Sequence, residues 1–281
     1  MQEYRPSGFS VLPPVIKNLL IINGIFYLAT VVFEMKMNID LTSILGLHYF
    51  FSEDFRPYQL ITYMFMHGSF MHIFFNMFAL WMFGNVLENV WGAKRFLIYY
   101  LVCGIGAVLL HYTVHYFEIR PVIQALNDYI ADPSQDKFNF LIESKKIQLT
   151  PDMVQTLQPI YLDFKSQMLS GNTEKALQTS IDFVLEYKKE FLNAPVVVGA
   201  SGSIFGLLLA FGMMFPNSMI YMYFFFPIKA KYFVILYGAI ELFGAVKSSE
   251  GDNIAHYAHL GGMLFGFVLI KIWNRKKKPF Y

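Results

Sequence analysis

The chain has 281 residues, of which 56% are hydrophobic, 18% aromatic and only 15% charged, with a net charge of +2. Soluble domains carry about 25% charged residues, so an ordinary water-soluble globule is a poor fit, and so small a net charge offers nucleic acid no electrostatic handle. The single cysteine, Cys103, excludes an internal disulfide and a cysteine-rich metal site.

Six apolar runs are near the ~20 residues needed to cross a bilayer, where only helices satisfy their own backbone. The first covers residues 16–34; with Lys17 and Asn18 at its head it reads as a span, not a cleavable leader. Residues 35–57 are mixed, and "HYFFSEDFRPYQ" suggests an interfacial loop. Spans two and three cover 66–86 and 95–117. Half of the acidic residues then fall between Asp128 and Glu190, within a stretch of helical periodicity and Pro punctuation. That stretch reads as a water-exposed helical insertion. Spans four, five and six follow at 199–215, 228–246 and 254–273, with the aromatic run "YMYFFFP" before span five placed as an interfacial belt.

The expected fold is therefore an all-α membrane protein: a six-transmembrane-helix bundle with a long helical insertion between the third and fourth spans. Its expected divisions are a tail at 1–14, a three-span core at 15–119, an insertion at 120–194, a second core at 195–273 and a basic tail at 274–281. Lys17, Lys94, Arg95, Lys229, Lys231 and the cluster "NRKKK" fall on one side, which by the positive-inside bias is cytoplasmic. The insertion is then extracytoplasmic. The polar clusters of spans two, four and six come to one depth near that outer side.

Those clusters carry the chemistry. Ser201 lies in "VVVGASGSIFG", where glycines and alanines replace bulk. A lone serine there would be packing material, since small residues let membrane helices approach. Span six offers two bases, His256 and His259, in "AHYAHLGG". The strip Gly262 and Gly266 faces a matching strip of Gly199, Gly202 and Gly206 in span four, so close contact would bring a serine hydroxyl to an imidazole. His72 and Asn76, spaced i, i+4, share a face of span two and could donate to an oxyanion. Ser203 reads as a local hydrogen-bonding residue. His111 and His115 read as part of an interfacial belt with Tyr112 and Tyr116 in preference to a metal pair. No HExxH occurs, and no Asp lies within a span, which argues against zinc and aspartyl proteases.

"HGSFMHIFFN", "GASGSIFG" and "AHYAHLGG", in that order, resemble the three signatures of the rhomboid family of intramembrane serine proteases. "GNVLENVWGAKRFLIYYLVCGIGA" is similar to the family's second-to-third span region, and the resemblance covers 15–119 and 195–273. It implies Ser201 as nucleophile and His259, not His256, as general base and acid, because the family motif sets a glycine three residues after the base, here Gly262. It implies an oxyanion hole at His72 and Asn76, and ring support of His259 from Phe205, where many relatives have tyrosine. It further implies a structural role for His67 in span two and an anchoring role for Glu88 at that span's cytoplasmic end. The family works with a dyad, and no Asp or Glu is expected beside these motifs within the spans.

Two departures stand out. Tyr58 and Gln59 occupy the place where relatives often carry Trp-Arg, and the insertion is longer than the usual loop. Near the mouth of the site the insertion would help to select substrates, and the small-residue stretch "ELFGAV" would let span five bend to admit them. The resemblance implies cleavage of transmembrane protein substrates within the lipid bilayer, with no cofactor, no metal and no nucleic acid. A bacterial cytoplasmic membrane is the expected location, with the site facing outward. The competing readings are a rhomboid-like pseudoprotease that escorts membrane helices uncut, and a transporter or channel, which would need polar residues along a through-path.

Overall fold

Pro14, at the first position of a helix where its missing N–H is not needed, starts the first membrane-length element in the computed structural model, which describes residues 10–144, 147, 149–222, 226–247 and 256–275. This helix, α1 (Pro14–Met37), ends where Asn38 turns left-handed at φ 52°. Its two buried polar side chains donate within the helix, as apolar surroundings favour: Asn23 Nδ2 to the Leu19 carbonyl and Thr30 Oγ1 to that of Phe26.

Helix α2 (Phe70–Trp91) begins at an N-cap, Ser69, whose hydroxyl accepts from the His72 N–H, and passes through a wider π turn at Leu80–Gly84. His67 therefore lies in the loop before the helix and not in the span where the sequence placed it. Helix α3 (Ala93–Ala131) runs unbroken through Pro121, so residue 120 is no boundary in the backbone. α1, α2 and α3 are each long and apolar enough to cross a membrane.

The chain divides into two compact units: residues 48–55 with 113–195, and the remainder. The smaller unit contains the end of α3 and helices α4 (Gln135–Glu143), α5 (Pro151–Leu169) and α6 (Thr173–Asn193). Ser134 and Thr150 cap α4 and α5 through their hydroxyls. The unit has its own core, centred on Phe138, whose ring meets those of Tyr129, Phe164 and Phe183. Beside it the hydroxyls of Tyr129 and Ser180 share a hydrogen bond of 2.6 Å.

In the larger unit, the loop after α1 is pinned by buried Gln59. Its Nε2 donates to the Ile44 carbonyl and its Oε1 accepts from the Arg56 N–H, so this residue anchors the loop. The short apolar helix α7 (Ser201–Met214) is followed by an antiparallel hairpin, β1 (Met219–Met222) with β2 (Phe226–Lys229), in register Met219 to Lys229. The hairpin corrects the sequence reading of residues 228–229 as the start of span five. Helix α8 (Ala230–Lys247) carries Lys231, Glu241 and Lys247, and α9 (His256–Arg275) closes the larger unit. Residues 223–225 of the expected aromatic belt, 254–255 of span six and the basic tail from 276 lie outside the described residues. The described helices leave many large apolar side chains exposed, among them Ile25, Leu28 and Val32 of α1 and Ile235, Leu242 and Phe243 of α8.

Glu88, fully within the fold, accepts the N–H groups of Val15 and Ile16 at 2.9 and 2.8 Å and so ties α2 to the positive end of α1. Nearby, the Arg95 guanidinium lies 4.2 Å from the Trp273 ring and 5.6 Å from Trp91, while the two indoles meet edge to face. A cavity of about 600 Å³ opens beside this stack, lined also by Lys94 and Ile98.

Candidate active site

Three helices meet where glycines remove the side chains between them. A Cβ on Gly262 of α9 would overlap the Gly202 carbonyl of α7, and a Cβ on Gly202 would collide with Ala107 of α3. Gly206 faces Cys103 and the Gly262 carbonyl, whereas Gly266 faces Tyr99 and Cys103 of α3. Of the expected strips, Gly202 and Gly206 meet Gly262, and α3 forms a third wall that the sequence did not reveal. Polar ties secure it: Tyr99 OH donates to the Gly206 carbonyl at 2.8 Å and Ser203 Oγ to that of Tyr100 at 2.7 Å. Ser203 thus hydrogen-bonds as read, but across to α3 and not locally within its own helix.

This packing sets Ser201, the first residue of α7, 2.8 Å from His259 Nε2. Phe205, one turn after Ser201, stacks on the imidazole with centroids 4.2 Å apart and planes 12° apart. The pair is half-buried: enclosed by packing yet reachable.

Gly199 is not part of α7. It turns at φ 112°, a conformation that favours glycine, and its N–H bonds the Tyr63 carbonyl at 2.9 Å. A Cβ there would come 2.7 Å from His72 Nε2 and 3.6 Å from Asn76 Nδ2. Gly199 therefore makes room for the His72–Asn76 face of α2 instead of packing α7 against α9. Asn76 is 6% exposed, and its Nδ2 has no hydrogen-bond partner among the described residues. An unpaired buried donor beside the start of a helix, whose first N–H groups have no intrahelical acceptor, is poised to receive negative charge. His67 is 1% exposed; its ring meets that of His72 edge-on at 4.9 Å, and its Nδ1 approaches the Phe65 carbonyl at 3.3 Å.

One expectation fails. Glu241 of α8 reaches this cluster from within an apolar helix. Its Oε2 lies 2.7 Å from His256 Nδ1 and 2.9 Å from His259 Nδ1. The first contact is a hydrogen bond. The second is as close but off the line of a directed bond, so His259 Nδ1 has no aligned acceptor. The stretch "ELFGAV", read as a bend, is continuous helix, and a Cβ on Gly244 would run into the His256 ring. The available signal was a lone acidic residue in an apolar run, which carries a functional presumption in lipid. His115, read as part of a belt, meets Tyr49 edge-on at 5.1 Å, and the His111 and Tyr112 rings lie 5.1 Å apart.

The rhomboid-domain family model matches residues 54–119 and 168–276, more than half of the chain. No curated protein matched. The domain, together with three helices apolar enough to cross a bilayer, makes this a membrane protein. On that match, and with the three quoted motifs inside it, the chain belongs to the rhomboid family.

Proposed function

We propose that the protein is an intramembrane serine endopeptidase that cuts transmembrane segments of membrane proteins. The observation that carries this reading is the 2.8 Å contact between Ser201 Oγ and His259 Nε2. In the proposed reaction His259 takes the Ser201 proton while Oγ attacks the scissile carbonyl. His72, Asn76 and first-turn N–H groups of α7 receive the oxyanion. The imidazolium then protonates the leaving amine, and water, activated by the same histidine, releases the acyl group.

Around this chemistry we read six spans, with α7, α8 and α9 as the last three. Gly199, Gly202, Gly262 and Gly266 serve as close-packing positions, and Phe205 and His67 as supports. The positive-inside bias favours cytoplasmic termini and a site facing the extracytoplasmic side of a bacterial cytoplasmic membrane. No cofactor or metal takes part. Substrate helices would carry small or helix-breaking residues at the cut, because a helical peptide bond is shielded from attack.

The test uses purified protein in detergent and in liposomes, offered a labelled transmembrane peptide and a fluorophosphonate probe. Wild type is expected to cleave and label, whereas Ser201→Ala and His259→Ala lose about 10⁴-fold or more of turnover. A wild type inert to both, across varied substrates and lipids, would overturn the proteolytic reading and favour the escort reading.

A further inference from the structure

We infer that Glu241 is a positioning residue that acts on Ser201 through His259, so that the dyad works in this chain as a Ser–His–Glu relay. The inference rests on the proteolytic reading above and extends it to a residue outside the three motifs.

The argument begins with the tautomer. For Nε2 of His259 to accept the Ser201 proton it must be bare, so the ring proton sits on Nδ1. An N–H enclosed in apolar packing needs an acceptor. The carboxylate oxygen 2.9 Å away is Oε2 of Glu241, which is only 7% exposed. The line of contact is not that of a directed hydrogen bond, as is common before substrate tightens a site. The carboxylate is itself held. His256, 8% exposed, bonds the same oxygen from its Nδ1 at 2.7 Å, with its ring seated against Gly244. An acidic group at this place in an apolar helix is retained only with partners, and both of its partners are imidazoles.

In the reaction the Oγ–H bond of Ser201 breaks and its proton moves to Nε2. The freed electron pair forms the bond to the substrate carbonyl carbon. His259 is then a cation whose Nδ1–H faces the Glu241 carboxylate. When the C–N bond breaks, the Nε2 proton leaves with the amine. Glu241 neither gains nor loses a proton; it fixes the starting tautomer and orients the ring.

A merely structural reading makes Glu241 a tie between α8 and α9. Glu241→Gln, Glu241→Asp and Tyr257→Phe separate the two, because Tyr257 OH provides another such tie to the Ala245 carbonyl at 3.0 Å. In full-length protein, Glu241→Gln is expected to lower kcat by about 10²–10⁴-fold with KM within about twofold. Glu241→Asp should regain at least about tenfold over Gln, and Tyr257→Phe should stay within about threefold of wild type. Histidine ¹⁵N spectra of the wild type, assigned by loss of a signal in His259→Gln, should show His259 protonated at Nδ1 and bare at Nε2. Wild-type cleavage with Glu241→Gln equally fast, or slowed only through KM, overturns the relay and leaves the protease. A His259 proton on Nε2 overturns it even where the glutamine variant does not fold. A wild type inert to peptide and probe overturns both.

Discussion

The ring of Phe205 lies nearly parallel to that of His259, 4.2 Å away, so one face of the imidazole is covered by a residue from the helix that carries Ser201. The alignment of the His259 ring with the Ser201 hydroxyl, the proposed base and nucleophile, thus depends on a contact made within one turn of α7. Phe205→Ala removes the wall and lets the imidazole tilt. A displacement of about 1 Å costs on the order of 10²-fold in rate, so kcat should fall by about 10–100-fold while fluorophosphonate labelling slows in parallel. Phe205→Tyr keeps the ring and should remain active.

Gly262→Ala tests the helix contact that sets Ser201 beside His259. Its Cβ would run into the Gly202 carbonyl, which is backbone and has no rotamer by which to escape. The helices must separate, at a cost of about 3 kcal/mol or more. Gly266→Ala meets the Tyr99 hydroxyl and Cys103, which are side-chain atoms that can give way, so the loss should be about 1–3 kcal/mol. Thermal unfolding in detergent should rank the two in that order.

Asn76 should show opposite effects on rate and stability. Its buried Nδ2 has no partner in the resting site, so Asn76→Leu should leave the melting temperature unchanged or raise it. If Asn76 is the oxyanion donor proposed above, the same substitution should lower kcat by about 10²–10³-fold. Peptide cleavage and thermal melting on the same preparation check both.

The core around Phe138 makes its truncation a local experiment. Phe138→Ala leaves a cavity among Tyr129, Phe164 and Phe183 and should cost about 3–5 kcal/mol. Faster amide exchange across residues 113–195 is the expected readout.

Much of the site was legible because polar groups are costly in lipid and therefore stand out. The structure groups Ser201 with His259 and His72 with Asn76, candidates that three short motifs name. Glu241 was missed for a different reason. α8 is apolar on every side, so no stripe in its sequence marks the face turned toward α9, and only packing reveals it. The hairpin β1–β2 was missed because "MIYMYFFFPIK" has no alternation that distinguishes strand from membrane helix or belt. The run through Pro121 has a tertiary cause: Leu126 and Tyr129, further along α3, are buried in the core around Phe138, and that burial outweighs the local penalty of the proline. Gly199 was assigned to a helix strip because its neighbours are small, whereas its φ angle, invisible in a sequence, sets it apart.

The stacking of Arg95 with Trp91 and Trp273 has a practical consequence. Trp273 follows His259 by 14 residues on α9, roughly 21 Å along the axis. Two of the chain's three tryptophans sit at that remote end, while Trp81 is turned outward from α2. Native indole emission would therefore report loosening of the guanidinium clamp and stay blind to events at the serine, so a fluorescence melt and a melt followed by the proposed peptide cleavage are expected to follow different curves.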